Sequence, residues 1–114
     1  MRGRVFSDFL EMARHLLDAG YVHPAASLIG AVLENGLRQI ASASGVNVKT
    51  SDDISALDTK LADAEIYSRL VQKRVRVWMD VRNHADHGEF EKITEADVRD
   101  MFEGVSSLLS SQMT

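Results

Sequence analysis

Apolar side chains recur every three or four residues along most of the chain. That spacing places them on one face of an α-helix, and no segment shows the strict alternation of a half-buried strand. Glycines follow several of these apolar series, at Gly20, Gly45 and Gly88, where they are typical helix stops. The sequence therefore predicts an all-α fold.

Five helices are expected from these series. Their predicted ranges are about 5–19, 24–44, 52–63, 65–87 and 95–112. The segment from Thr94 to Asp97 resembles a capping box with Asp in place of Glu, and it predicts the start of the last helix. Gly30 and Gly36 lie inside the second helix, where the missing side chain lets a neighbouring helix approach closely. The expected architecture is an antiparallel four-helix bundle with an additional short helix.

The composition is that of a single globular domain. The chain has 114 residues, of which 45% are hydrophobic, so one domain over residues 1–114 can bury a core. It has no cysteine, which excludes disulfides, thiolate zinc sites and a cysteine nucleophile. No apolar run approaches the ~18 residues of a membrane helix, and charged residues interrupt the segment after the basic Met1–Arg4, unlike in a signal peptide. We therefore expect a cytoplasmic protein with no membrane partner.

The net charge of the chain is −4, from 13 Lys and Arg residues against 17 Asp and Glu residues. This balance argues against binding nucleic acid with the whole surface, so any such contact needs a local basic patch. Arg69, Lys73 and Arg76 share one face of the fourth predicted helix and could follow an RNA backbone. The alternative is a solvated helix face whose charge is offset by Asp80 and by acids on neighbouring helices.

The end of the fourth predicted helix, residues 81–88, concentrates the residue types that carry chemistry. Arg82 projects from the apolar face of this helix, and a guanidinium there needs a partner because an unpaired buried charge is costly. An internal salt bridge, for example to Glu34, would satisfy it. The charge of Arg82 would also be satisfied if its aliphatic stem packed flat on the helix and its head group reached water, or if it lay at an interface with another chain.

Asn83 and His87 are four residues apart and therefore neighbours on one helix face, where the amide can fix the orientation and tautomer of the imidazole. The alternative is that His87 only marks a helix end, because histidine is favourable beside the terminal carbonyls. Arg82 and His87 are about 140° apart around the helix axis. Their side chains converge only if the arginine reaches around the helix or if a second subunit brings its own pair.

The other histidines give no sign of a metal site. His84 and His87 are three residues apart, but the sequence offers no clear further ligand, so we expect neither a metal nor another cofactor. His15 and His23 are interpreted as structural residues.

The pattern Arg82-Asn83-x-x-x-His87 resembles the signature of HEPN domains, in which an arginine and a polar residue precede a histidine at this spacing. Two further stretches, Tyr21 to Ile40 and Val77 to Asn83, are similar to helices of such domains. The resemblance implies an all-helical bundle that forms a homodimer, with the two motifs facing each other across the interface. Many members are metal-independent ribonucleases, and others bind nucleotides or protein partners without catalysis.

On this resemblance, His87 is the general acid or base at the RNA 2′-hydroxyl and the leaving oxygen. Arg82 stabilises charge on the phosphoryl group, and Asn83 orients His87 or contacts the phosphate. The implied products are a 2′,3′-cyclic phosphate and a 5′-hydroxyl. DNA should resist cleavage because it lacks the 2′-hydroxyl.

The resemblance also implies partners other than RNA, namely an antitoxin or another protein if the chain is a toxin or a phage-defence effector. Toxins paired with a nucleotidyltransferase antitoxin often carry a tyrosine two residues after the motif histidine, and this chain has Glu89 there. Nucleotide transfer onto that position is therefore not expected. For the homodimer surface we expect one apolar and basic patch on the fourth helix, made by Arg74, Val77, Trp78 and Arg82. The remaining alternative is a helical domain in which Arg82 makes only an internal ion pair.

Overall fold

The computed structural model describes residues 2–113, with side chains from residue 5 to residue 112. This part of the chain is all-helical and contains no strand, which confirms the predicted fold class. The five helices are α1 Arg2–Asp18, α2 Val22–Ser44, α3 Ile54–Asp63, α4 Arg69–Asp86 and α5 Glu95–Met113. A short 3₁₀ turn, Phe90–Lys92, connects α4 to α5.

Capping residues set the end of α2 and the start of α5 where the sequence predicts them. Gly45 ends α2 with a left-handed φ of 72°, which a residue without a side chain adopts freely. At the start of α5, Asp97 N–H donates to Thr94 Oγ1 at 3.2 Å, and Thr94 N–H donates to Asp97 Oδ2 at 2.8 Å. The predicted capping box is therefore confirmed.

The start of α4 differs from the prediction. The helix begins at Arg69, four residues later than expected, because Ser68 caps it by accepting a hydrogen bond from Val71 N–H at 3.2 Å. Just before it, Glu65 adopts a positive φ of 58°, which a continuous helix cannot contain. The apolar periodicity continues through this turn, so the pattern alone does not reveal the break.

The α2 helix is central, because it packs against each of the other four α-helices. Buried apolar residues from all five helices form one hydrophobic cluster, for example Leu17, Leu33, Leu57, Val75 and Val105. This single core fixes α2 and α4 against each other, and these two helices carry the polar residues described below.

Three glycines mark points where helices approach closely. A Cβ atom added at Gly36 would crowd the Leu109 side chain, and one added at Gly104 would overlap the Trp78 indole. A Cβ atom at Gly30 would overlap the stem of Arg82. The predicted role of Gly30 and Gly36 is therefore confirmed.

Trp78 does not belong to an exposed patch on α4, so the predicted homodimer surface is wrong at this residue. Its side chain is only 4% exposed and packs against Gly104 of α5, inside the core of its own chain. Val77, the residue before it, is 59% exposed. The Arg74 guanidinium lies 5.1 Å from the Trp78 ring centroid, so it covers the core rather than reaching away from it.

Within residues 2–113, no helix combines the length and the apolar character that crossing a bilayer demands.

Replacement of Trp78 by alanine should lower the free energy of unfolding by about 3–5 kcal/mol, because it leaves a cavity between α4 and α5. Chemical denaturation followed by circular dichroism measures this change. Val77→Ala is the matched control, since Val77 is the adjacent residue and faces solvent. Equal unfolding midpoints for the two variants would contradict the placement of the indole in the core.

Candidate functional site at the end of α4

Two carboxylates hold the guanidinium of Arg82, on the side of α4 that faces α2. Arg82 Nε donates to Asp86 Oδ2 at 2.7 Å, one turn further along α4. Its Nη1 donates to Glu34 Oε1 of α2 at 3.2 Å, and 26% of the arginine side chain stays exposed. The structure therefore contains the internal ion pair with Glu34 that was one of the alternatives, and it adds a second pair with Asp86.

The aliphatic stem of Arg82 packs on the backbone of α2 at Gly30. A side chain at position 30 would overlap Arg82 Cγ and Cβ, so a larger residue fits only if the arginine moves. The stem thus covers the surface of α2 while the head group reaches both carboxylates. Packing and charge join α2 and α4 at the same point.

Asp86 is fixed from two sides. Ser27 Oγ of α2 donates to Asp86 Oδ1 at 2.5 Å, while Arg82 donates to the other carboxylate oxygen. Partial burial by itself raises the pKa of Asp86. The hydrogen bonds from Ser27 and Arg82, together with the charges of Arg82 and His87, outweigh burial and hold this pKa below that of an ordinary aspartate.

The same contacts act on the arginine. The hydrogen bond to Asp86 raises the pKa of Arg82, and the one to Glu34 adds to it, although partial burial works in the opposite direction. Guanidinium and carboxylate are therefore both charged at neutral pH, and their contact is an ion pair rather than a neutral hydrogen bond.

Glu34 connects this ion pair to the loop between α2 and α3. Its second carboxylate oxygen lies 3.9 Å from Arg38 Nη2. Arg38 in turn donates to the carbonyl oxygens of Lys49 at 3.1 Å, of Thr50 at 3.3 Å and of Asp52. Glu34 thus stands between two arginines, and the charges of Arg82, Asp86, Glu34 and Arg38 sum to zero.

Asn83 and His87 are exposed at the end of α4. His87 follows the last helical residue, and its backbone N–H donates to the Asn83 carbonyl at 3.0 Å. Within the described residues, no side-chain hydrogen bond joins Asn83 to His87, and none joins Arg82 to His87. The amide therefore does not orient the imidazole in the single chain. Asp86 is the group that both Arg82 and His87 influence electrostatically.

Two other histidines, His84 and His23, contact the segment that follows α4 and hold it in place. His84 Nδ1 lies 3.1 Å from Glu89 Oε1, and Lys92 Nζ donates to Glu89 Oε2 at 3.1 Å. The hydrogen bond with His84 is the main cause of a lowered pKa for Glu89, and the hydrogen bond from Lys92 lowers it further. The ring of His23 packs on Phe90 with centroids 4.2 Å apart, and its Nε2 lies 3.3 Å from the Phe90 carbonyl oxygen. His23 is therefore structural, as expected, whereas the His15 side chain is 79% exposed with its nearest carboxylate oxygen 4.0 Å away, so the same interpretation of His15 is wrong.

The three basic residues predicted to bind RNA do not form a strip of three free charges. Arg69 Nη2 donates to Asp63 at 3.0 Å, and Arg76 Nε donates to Asp58 at 2.7 Å. Lys73 forms no ion pair with any described residue. RNA binding by this strip stays a prediction, and two of its three charges already have a carboxylate partner.

Sequence reasoning missed the buried carboxylate that anchors Arg76. Asp58 of α3 is fully buried and accepts hydrogen bonds from Tyr67 Oη at 2.5 Å and from Arg76 Nε at 2.7 Å. Burial and then the hydrogen bond to Asp58 raise the pKa of Tyr67. One sequence signal was available: Asp58 lies four residues after Ile54 and three before Leu61, on the apolar face of its helix.

The described residues, 2–113, contain no group of three or more His, Asp or Glu side chains that could hold a metal ion. No family model matches the chain, and neither a curated protein nor a solved structure matches it.

Replacement of Asp86 by asparagine should destabilise the protein at neutral pH and have little effect in acid. Because the folded-state pKa of Asp86 is lowered, its contribution is present above the ordinary carboxyl pKa and is lost as the pH falls through the folded-state value. About a third of the side chain is exposed, so we expect about 1 kcal/mol after screening by water. Urea titrations at a series of pH values from neutral to acid measure this difference.

The matched control is Asp80→Asn, since Asp80 is exposed on α4 and forms no ion pair with a described residue. Its free energy of unfolding should follow that of the wild type at every pH. If Asp86→Asn lowers the free energy of unfolding by the same amount at all pH values, then shape, and not charge, holds Arg82.

Proposed function

We propose that this chain is a metal-independent endoribonuclease of the HEPN type that acts as a homodimer. The proposal treats the helices as an antiparallel four-helix bundle with an additional short helix, and it assigns catalysis to Arg82, Asn83 and His87 of both copies. It also assigns the protein to the cytoplasm, as a toxin or phage-defence effector whose further partner is an antitoxin or another protein.

The observation that carries the proposal is the arrangement of polar residues at the end of α4. Arg82 is held in place by Asp86 and Glu34, whereas Asn83 and His87 are exposed beside it. Arg82 Nη2 makes no hydrogen bond to a described residue, so the guanidinium retains N–H donors for a phosphate oxygen. A fixed cation and an accessible imidazole at one helix end suit phosphodiester cleavage, which requires charge stabilisation and proton transfer.

A composite site solves the problem that Arg82 and His87 leave α4 in different directions. A two-fold axis near this helix end would bring two imidazoles and two guanidinium groups to one phosphodiester. One His87 would then accept the proton of the 2′-hydroxyl while the other donates a proton to the 5′-oxygen. The 2′-oxygen forms a bond to phosphorus as the bond to the 5′-oxygen breaks, which gives a 2′,3′-cyclic phosphate and a 5′-hydroxyl.

Binding of the RNA backbone would rest mainly on Lys73 and Arg69. Lys73 forms no ion pair with a described residue, and the pair between Arg69 and Asp63 is more than 60% exposed on both sides. Exposed pairs contribute little energy and exchange readily for a phosphate contact. Arg76 is less suited, because releasing it would leave Asp58 charged and buried.

A second candidate function is a non-catalytic homodimer that binds a nucleotide or a protein partner. The observation in its favour is that Glu34 and Asp86 offset the charge of Arg82: together with Arg38 the four charges sum to zero, so the site has no excess positive charge to attract a polyanion. A protein surface, or a nucleotide held partly by stacking, depends less on such an excess than a long RNA does.

Cleavage of a single-stranded RNA in the presence of EDTA tests the proposal. We expect the wild type to release products with 2′,3′-cyclic phosphate ends, identified by mass spectrometry. His87→Ala should lower the cleavage rate by about 100-fold or more, because it removes the group that transfers protons.

His15→Ala is the matched control, since His15 is exposed on α1 and its nearest carboxylate oxygen, in Glu11, is 4.0 Å away. It should cleave at the wild-type rate, and DNA of the same sequence should stay intact. Equal rates for wild type and His87→Ala would contradict the assignment. An intact dimer that cleaves nothing but binds a nucleotide saturably would favour the second candidate.

A further inference from the structure

The exposed ring of Phe90 lies beside the candidate site, in the 3₁₀ turn that follows α4. Phe90 is 52% exposed. Its ring contacts the ring of His23 on α2, with centroids 4.2 Å apart and planes tilted by 43°. We call these two side chains the aromatic pair. A single exposed aromatic residue is ordinary, so its surroundings decide what it can bind.

The aromatic pair adjoins the Arg82 ion pair, because two contacts join the same two segments of the chain. Ser27 of α2 donates to Asp86, which also accepts from Arg82 Nε. His23 of α2 contacts Phe90. On α2, His23 precedes Ser27 by four residues, which is one helical turn or about 6 Å. The two contacts therefore lie side by side.

Hydrogen bonds hold the turn that carries Phe90 in place. His23 Nε2 lies 3.3 Å from the Phe90 carbonyl oxygen. Glu89, the residue before Phe90, contacts His84 Nδ1 at 3.1 Å and accepts a hydrogen bond from Lys92 at 3.1 Å. The ring is thus positioned before a ligand arrives, so little conformational entropy is lost on binding.

We propose that the aromatic pair is a stacking site for an unpaired nucleobase, whose phosphate contacts Nη2 of Arg82. The inference rests on the proposed function in using Arg82 as the phosphate contact, and it adds recognition of the base. The ligand is a nucleotide, either free or within a single-stranded RNA. An RNA duplex does not fit, because its bases are already paired and stacked on one another.

The charges around the site favour a ligand that is held by stacking. The four charges at the Arg82 ion pair sum to zero. Near Phe90, Glu89 is paired with Lys92, and Glu91 is exposed without an ion pair to a described residue. A phosphate therefore gains little from net charge here. Stacking on an aromatic ring supplies affinity that does not depend on charge, and it accepts every base.

Fluorescence anisotropy of a short single-stranded RNA tests the proposal. Every ribose of this probe carries a 2′-O-methyl group, so that the probe binds without being cleaved. Phe90→Ala should raise the dissociation constant by about 10-fold, and by the same factor at low and high salt, because salt does not screen stacking. Phe90→Leu, which keeps an apolar side chain on His23 but has no aromatic face, should raise it as well. Phe90→Trp should bind like the wild type.

Phe9→Ala is the matched control, because it removes a phenylalanine that is 43% exposed on α1. Its dissociation constant should stay within about twofold of the wild-type value. A second control is a probe with the same backbone and no bases, which should bind weakly and equally to wild type and Phe90→Ala. Circular dichroism of each variant verifies that it is folded.

Adenosine monophosphate, titrated as a competitor, distinguishes the two sources of the base. If it displaces the RNA from the wild type, or binds where the RNA does not, and Phe90→Ala weakens its binding, a free nucleotide occupies the site. If only the RNA binds and depends on Phe90, the site is specific for a strand. Adenosine, which has no phosphate, should bind more weakly than its monophosphate.

Equal affinity of wild type and folded Phe90→Ala for both ligands would overturn the proposal. So would a wild type that binds neither ligand, full affinity in Phe90→Leu, or tight binding of the probe without bases. Cleavage of unmodified RNA is scored separately on wild type and His87→Ala. Binding that depends on Phe90 without any cleavage removes only the ribonuclease assignment, and cleavage that depends on His87 while Phe90→Ala binds normally removes only the stacking site.

Discussion

The contact of Arg82 with α2 is the interaction on which the candidate site depends. A partly buried guanidinium is costly unless it has partners, and here Glu34 and Asp86 pair with it within hydrogen-bond distance. The contact also requires Gly30, since any side chain there would displace the stem of the arginine. One glycine, one arginine and two acids therefore join α2 and α4 at this point, in addition to the hydrophobic core, close to the α4 end that carries Asn83 and His87.

Much of the fold follows from local patterns, and the exceptions have local or tertiary causes. Helical periodicity with glycine stops predicts five helices, and the capping box at Thr94 predicts the start of α5. The late start of α4 was missed because the Ser68 cap and the positive φ of Glu65 interrupt a pattern that stays apolar. Asp58 was missed because its partners, Tyr67 and Arg76, belong to other parts of the chain.

The candidate site, like the fold, was predictable where it depends on contacts within one helix and not where it depends on how helices pack. The cost of burying a charge predicts that Arg82 needs a partner. Glu34 was named as an example of such a partner, and the structure contains this pair. The pairing with Asp86 could have been predicted as well, because the two residues are four apart on one helix. The hydrogen bond from Ser27 could not, since it depends on how α2 and α4 are placed side by side. The expected contact between Asn83 and His87 is absent among the described side chains, and both residues are exposed.

The carboxylates of Glu34 and Asp86 offset the positive charge of Arg82. This weakens the attraction of Arg82 for a phosphate, but it also allows two copies of the site to approach each other closely. Two bare guanidinium groups about 8 Å apart repel each other by about 2 kcal/mol at an effective dielectric constant of about 20. Glu34 and Asp86 remove this repulsion, because each arginine then carries its own counter-charges. In the proposed dimer, the carboxylates would thus hold Arg82 in position and allow its copy to come near, while Nη2, which bonds no described residue, keeps its N–H donors available to a ligand. A uniformly basic site would bind phosphate more strongly but would resist formation of the dimer that completes it.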